Sequence, residues 1–177
     1  MAQRIVVCEY NPEWEAAYQR EADLIADILA DNLKEIFHIG STAVKGLKAK
    51  PIIDIMPVVY RLEEVDRCNS KFQEAGYECM GEFGMHGRRY FRKGGDNRTH
   101  QIHIFEFGNQ TDINRHLAVR DFLRTHKEVA EQYGELKAKL AVQFPNSIDD
   151  YCIGKEKFVL EMEEKALQWQ RQCRIQN

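Results

Sequence analysis

The run Pro51-Ile52-Ile53-Asp54-Ile55-Met56-Pro57-Val58-Val59 is apolar except for one carboxylate. Side chains alternate along a strand, so Ile53 and Ile55 point one way and Asp54 and Met56 the other. A strand that is apolar on both faces belongs at the centre of a sheet covered by helices. That demand sets the fold class as α+β (α/β). The carboxylate makes a second demand. An unpaired Asp is costly to remove from water, so Asp54 needs compensation. A Mg2+ ion, Lys50 or a histidine would each provide it.

The flanking segments supply the layers. Residues 4–8 read as a first strand. Asn11 is a good helix cap with Pro12 at the first helical position, and Trp14, Tyr18, Leu24, Ile25, Ile28 and Leu29 recur at helical spacing. A helix over 12–31 and a strand over 35–39 follow. Residues 41–48 read as a loop and short helix. Leu62, Val65 and Phe72 suggest a helix that stops at Gly76. Arg88 to Arg92 read as a strand, Gly94-Gly95-Asp96-Asn97 as a hairpin turn, and 99–107 as the returning strand.

Thr111 is a candidate cap for a helix carrying Ile113, Leu117 and Phe122, and a second helix covers about 127–142. A last one starts near Ser147, which resembles a capping box with Asp150, and Gly154 is a candidate break or kink. Nothing resembles a linker. Residues 1–177 therefore read as one domain, with an α/β core to about 108 and C-terminal helices from about 109 packed on it.

Net charge is −3 over 177 residues, which gives no global positive field for nucleic acid or an anionic membrane. A local basic pocket for a small polyanion remains compatible with it. No apolar run nears the roughly 18 residues that span a bilayer, and no signal segment is evident, so a cytoplasmic location is expected. The five cysteines are widely spaced without a Cys-x-x-Cys. They read as free, mostly buried thiols, not as a zinc knuckle or a disulfide scaffold.

Gly40-Ser41 follows a strand and precedes a helical turn. Backbone N–H groups at such a junction can hold a phosphate, Gly40 allows close approach, and Ser41 and Thr42 add hydroxyls. Lys45, Lys48 and Lys50 lie nearby in the chain. The spacing of a Walker A loop is absent. Asp54 strengthens the reading, because metal-dependent nucleotidyl transfer uses carboxylates on one strand face to hold Mg2+. An Asp paired with a lysine or with backbone N–H groups is the structural alternative. The second acid of an Asp-x-Asp pair is missing: Met56 stands there, a poor ligand for a hard ion and better suited to the core. Glu78, Glu82 or Glu106 could replace it in space.

On the strand Thr99 to Phe105, His103 is placed to face Asp54, and His100 to face the other way. His103 could ligate a metal, accept a proton or bind phosphate; polar packing is the alternative. Arg89 could join His103 from an adjacent strand. His116, Arg120 and Arg124 share helical spacing and could bring positive charge over the pocket, with Lys137 and Lys155 as weaker members. Helix ion pairs are the competing role for these residues.

The run from His38 to Ile55, His-Ile-Gly-Ser-Thr-Ala-Val-Lys-Gly-Leu-Lys-Ala-Lys-Pro-Ile-Ile-Asp-Ile, resembles the characteristic stretch of the GrpB (UPF0157) family, with Lys45 in place of the usual proline. Pro12 with Trp14, and Arg120-Asp121-Phe122-Leu123-Arg124, resemble further family landmarks. The resemblance implies the nucleotidyltransferase superfamily, with a mixed sheet flanked by helices. It also implies a phosphate-binding Gly40-Ser41 and a metal-binding Asp54. Three functions are then in play. The first is a metal-dependent nucleotidyltransferase-like enzyme using Mg2+ or Mn2+, or another divalent metal. It would act on a nucleotide and a hydroxyl acceptor, small or protein-borne. The second is a non-catalytic binder of a nucleotide or other phosphorylated small molecule. The third is a scaffold or interaction protein. The site set is Gly40, Ser41, Thr42, Lys50, Arg89 and Arg120 for phosphate, with Asp54 and His103 for metal and catalysis.

Overall fold

The computed structural model describes residues 4–175. Five strands form one mixed sheet in the order β1 (Leu33–Ile39), β2 (Ile53–Val59), β5 (His100–Glu106), β4 (Arg88–Lys93), β3 (Tyr77–Cys79). β2 and β5 are parallel, and the other neighbours are antiparallel. The doubly apolar strand β2 lies inside the sheet, as its composition demands.

Both faces of the sheet are covered. On one, Trp14, Ile25, Ile28 and Leu29 of α1 (Glu13–Leu29) pack on Ile53, Ile55, Ile102 and Ile104. Val65 of α2 (Leu62–Asp66) and Phe72 of α3 (Asn69–Glu74) complete that layer. On the other, Ile113 of α4 (Gln110–Thr125) packs on Ile39, Met56, Val58 and Phe105. Burying each such large apolar side chain stabilises the fold by about 1.5–3 kcal/mol. The C-terminal helices α4, α5 (Lys127–Gln143) and α6 (Ile148–Ile175) pack on one another and on the core. Val44 and Leu47 insert among Phe122, Leu123, Tyr133 and Met162, which ties the segment after Ser41 to these helices. A cleft results between the sheet and the C-terminal helices.

Several local expectations hold. Asn11 Oδ1 accepts from Glu13 N at 3.0 Å, and Ser147 Oγ from Asp150 N at 3.3 Å. Others are corrected. Residues 4–8 form no sheet strand: only Cys8 bridges Ala49, while Ile5 and Val7 pack with Leu140, Ala141 and Tyr151. Alternation reports that one face is buried, not what buries it. The expected short helix in 41–48 is a single 3-10 turn, Ser41–Ala43. The segment ending at Gly76 is two short helices instead of one.

Asn109, not Thr111, caps α4, its Oδ1 accepting from Asp112 N at 3.3 Å. Gly154 leaves α6 unbroken; a Cβ there would lie 2.4 Å from Leu140 Cδ2, so the glycine serves close helix packing. Cys8, Cys68, Cys79 and Cys152 are free thiols, and none of the five cysteines is fully buried.

Candidate functional site

The turn after β1 is built around Asp54. Gly40 has φ +72°, a left-handed backbone that favours glycine, and a Cβ on it would come within 2.8 Å of Asp54 Oδ2. The backbone of Gly40 therefore passes directly over the carboxylate. In the parallel register Asp54 lies beside Gln101, and two residues on, His103 emerges on the same face. His103 Nε2 lies 3.2 Å from Asp54 Oδ1. The histidine is the partner that the strand carboxylate required.

Gly40, Ser41, Thr42, Lys50, Asp54 and Gln101 line one wall of a cleft of about 220 Å3, and Tyr133, Lys137, Tyr151 and Lys155 line the other. Three lysines thus approach one carboxylate, and none of the three forms a salt bridge among the described residues. Lys50 Nζ and Lys155 Nζ lie 5.3 and 5.2 Å from the centre of the same Tyr151 ring. Burial lowers the pKa of Lys50, and Lys155 adds to that. Lys137 is 3% exposed, donates to Ser41 Oγ at 2.7 Å and sits 4.3 Å from the Tyr133 ring centre. Burial, then the charges of Lys155 and Lys50, pull Lys137 down to about 7, against the opposing pull of Asp54. The Tyr151 hydroxyl is buried without a hydrogen-bond partner among the described residues.

The other expected residues are placed elsewhere. Thr42 edges the cleft, but its hydroxyl is taken up by His38 Nε2 at 2.9 Å and the Ile52 carbonyl at 3.4 Å. Arg89 aligns with Ile104 and so faces away from His103. It grips Asp66 with two hydrogen bonds of 2.6 and 2.9 Å, so the expected pairing with His103 does not form. Arg120 donates to Asp121 and to the His38 carbonyl, and Arg124 to the Ala43 carbonyl. Both brace the turn from behind and do not line this cleft.

His116 brings no positive charge, because burial first and His103 second push it down to about 3. Its ring lies 5.8 Å from that of His103. Lys137 and Lys155, the weaker members of the cationic group, are the ones that reach the cleft.

The expected replacements for the second acid are also engaged elsewhere. Glu78 pairs with Arg92, Glu82 accepts from Gly87 N, and Glu106 accepts from Leu62 N. Met56 is fully buried in the core. Among the described residues no three His, Cys, Asp or Glu side chains gather as a metal cluster. The donor set therefore does not fit a two-ion centre.

A mixed sheet with a Gly-Ser turn over a strand carboxylate, and helices closing a cleft above it, defines a nucleotidyltransferase-like fold. Terminal uridylyl transferase 4 from Trypanosoma brucei, solved with bound dUTP, superposes with a TM-score of 0.52 at 14% identity, over 92% of this chain and 56% of that one. At that identity the likeness concerns the fold alone. The chain belongs to the GrpB family, whose model, described as GrpB protein, matches residues 4–165. The crystal structure of the conserved protein GrpB from Enterococcus faecalis is similar at 46% identity and a TM-score of 0.90, covering 92% of this chain and 98% of that one. The UPF0157 protein YqkA of Bacillus subtilis is 39% identical over 168 residues, or 95% of this chain. This chain spans about half of YqkA, 49% of its length. No helix among the described residues is long and apolar enough to cross a membrane.

Proposed function

We propose that the cleft binds the phosphate tail of a nucleotide or similar phosphorylated small molecule, and that nucleotidyl transfer is the reaction it serves. The observation that carries this reading is the pair of ammonium groups, Lys50 and Lys155, sharing the Tyr151 ring with no carboxylate in ion-pair contact among the described residues. Two like charges held together lack a counter-ion, and a phosphate supplies one. The unpartnered Tyr151 hydroxyl and the Gly40-Ser41 turn add donors beside them. A divalent cation such as Mg2+ or Mn2+, carried by the phosphates, would meet Asp54 and offset phosphate charge there. His103 orients the Asp54 carboxylate through their contact.

Calorimetry with ATP and UTP, with and without Mg2+, tests the reading. Wild type should bind, and Lys50→Met with Lys155→Met should weaken binding at least tenfold. Asp54→Asn should remove the Mg2+-dependent part while strengthening binding of the bare nucleotide, because a repelling charge is lost. Equal affinity in wild type and the double lysine variant would defeat the proposal.

A second reading, binding without transfer, is favoured by one observation: Met56 fills the place where two-ion catalysis needs an acid. A protein that binds Mg2+-nucleotide tightly but releases no pyrophosphate with any acceptor would meet that reading.

A further inference from the structure

Lys137 differs from the other lysines of the cleft. Its amine lies behind Ser41, with Nζ 2.7 Å from Ser41 Oγ. It is 3% exposed and has no carboxylate within ion-pair distance among the described residues. Lys155 faces it from α6, Lys50 and Asp54 from the sheet side, and Tyr133 from its own helix. Tyr151 of α6 lines the same space. The amine donates to Ser41 Oγ when protonated; burial and two neighbouring ammonium groups pull its pKa to about 7, so near neutral pH a deprotonated fraction can accept from the serine hydroxyl across the same 2.7 Å contact. Ser41 itself is only partly buried and opens on the cleft. A hydroxyl in hydrogen-bond contact with a neutral amine is the arrangement of an activated nucleophile and its base.

We propose that Ser41 is a nucleophile toward phosphorus and Lys137 its general base, so that the protein takes a nucleotidyl group onto Ser41. In the step, Ser41 Oγ attacks the α-phosphorus of a nucleoside triphosphate and an O–P bond forms. The bond from that phosphorus to the bridging oxygen breaks, and pyrophosphate leaves with the electron pair. The hydroxyl proton passes to Lys137 Nζ. Lys50 and Lys155 hold the charge of the pyrophosphate, which leaves Lys137 free to be neutral. This rests on the nucleotide reading above, and it divides the three lysines between binding and proton transfer.

Two probes test it separately. A fluorophosphonate needs no nucleotide site: Ser41 displaces fluoride from phosphorus while Lys137 takes the proton. Wild type should be labelled at Ser41, with a rate that rises through about pH 7, and peptide mapping should find no label in Ser41→Ala. Lys137→Arg holds the site in its cationic form at every pH of the assay and accepts no proton. It should lose labelling at least a hundredfold while its calorimetric ATP affinity stays within about threefold, and a thermal melt confirms that it folds. Unchanged labelling in Lys137→Arg would overturn the role of Lys137.

The second probe is ATP or UTP radiolabelled at the α-phosphate, with Mg2+. Wild type should retain the label on Ser41 and release one pyrophosphate per label. Nucleotide binding with no modification by either probe would refute the nucleophile and leave the binding reading standing. Lys137-dependent fluorophosphonate labelling without nucleotide binding would uphold the dyad but overturn nucleotidyl transfer onto it.

Discussion

Two lysines on opposite sides of the sheet show two treatments of a partly or wholly buried charge. Behind the sheet, Lys93 meets Glu21 at 2.7 Å, and Tyr77 donates to the same carboxylate oxygen at 2.8 Å. Burial alone would raise the pKa of Glu21, but the hydrogen bonds from Lys93 and Tyr77 outweigh it and the net shift is downward. On the cleft side, Lys137 has a neutral serine for its partner and is shifted down. The first group is complete within the protein. The second keeps its electrostatic demand open, as a binding or reacting site does.

The largest expected effect lies behind the sheet. Glu21→Ala leaves Lys93 and the Tyr77 hydroxyl without their acceptor and should cost about 3 kcal/mol, read as a lower urea midpoint with an unchanged slope. Gly40→Ala comes next. Its positive φ and the 2.8 Å approach to Asp54 should cost about 2 kcal/mol, and the shifted turn should weaken Mg2+-dependent nucleotide binding.

Lys137→Met should behave oppositely to Glu21→Ala and leave stability at neutral pH unchanged or higher by about 1 kcal/mol, because it removes an uncompensated buried amine. A loss as large as that of Glu21→Ala would break the comparison. The smallest effect is expected from Asp66→Asn. Its contact with Arg89 is well formed but largely exposed, and about 0.5 kcal/mol is expected.

Acid and base separate the two sides further. The folded pKa of Lys137, about 7, lies below the ordinary lysine value of 10.5. Between those values the unfolded chain binds more protons, so this group makes stability rise with pH from about 7 to 10.5. Glu21 has a depressed folded pKa. Its stabilisation is present above the ordinary value of 4.5 and is lost as pH falls through the lower folded value. Urea melts across pH should lose the alkaline rise in Lys137→Met and the acid fall in Glu21→Ala.

Much of the neighbourhood of β2 is legible from the residues alone. An Asp in a doubly apolar strand fixed its place inside a covered sheet, and period-two alternation put His103 on its side and His100 on the other. Those conclusions are local, because the pleat of a strand fixes direction without knowing the neighbours. Helix positions followed from spacing for the same reason. A signal for the far wall was also present. Tyr133 with Lys137, and Tyr151 with Lys155, are each an aromatic and a lysine four residues apart, hence on one helix face. Spacing shows that each pair shares a face but not what that face meets.

Packing across the fold settles that both faces close over Gly40-Ser41, that Arg89 turns to Asp66, and that His116 is partly buried with its pKa pushed far down. It also settles that Ile5 and Val7 pack on helices instead of joining the sheet. These outcomes depend on how layers pack across long sequence separations. The charge state of a lysine such as Lys137 follows from that packing, because burial and neighbouring charges exist only once the layers meet.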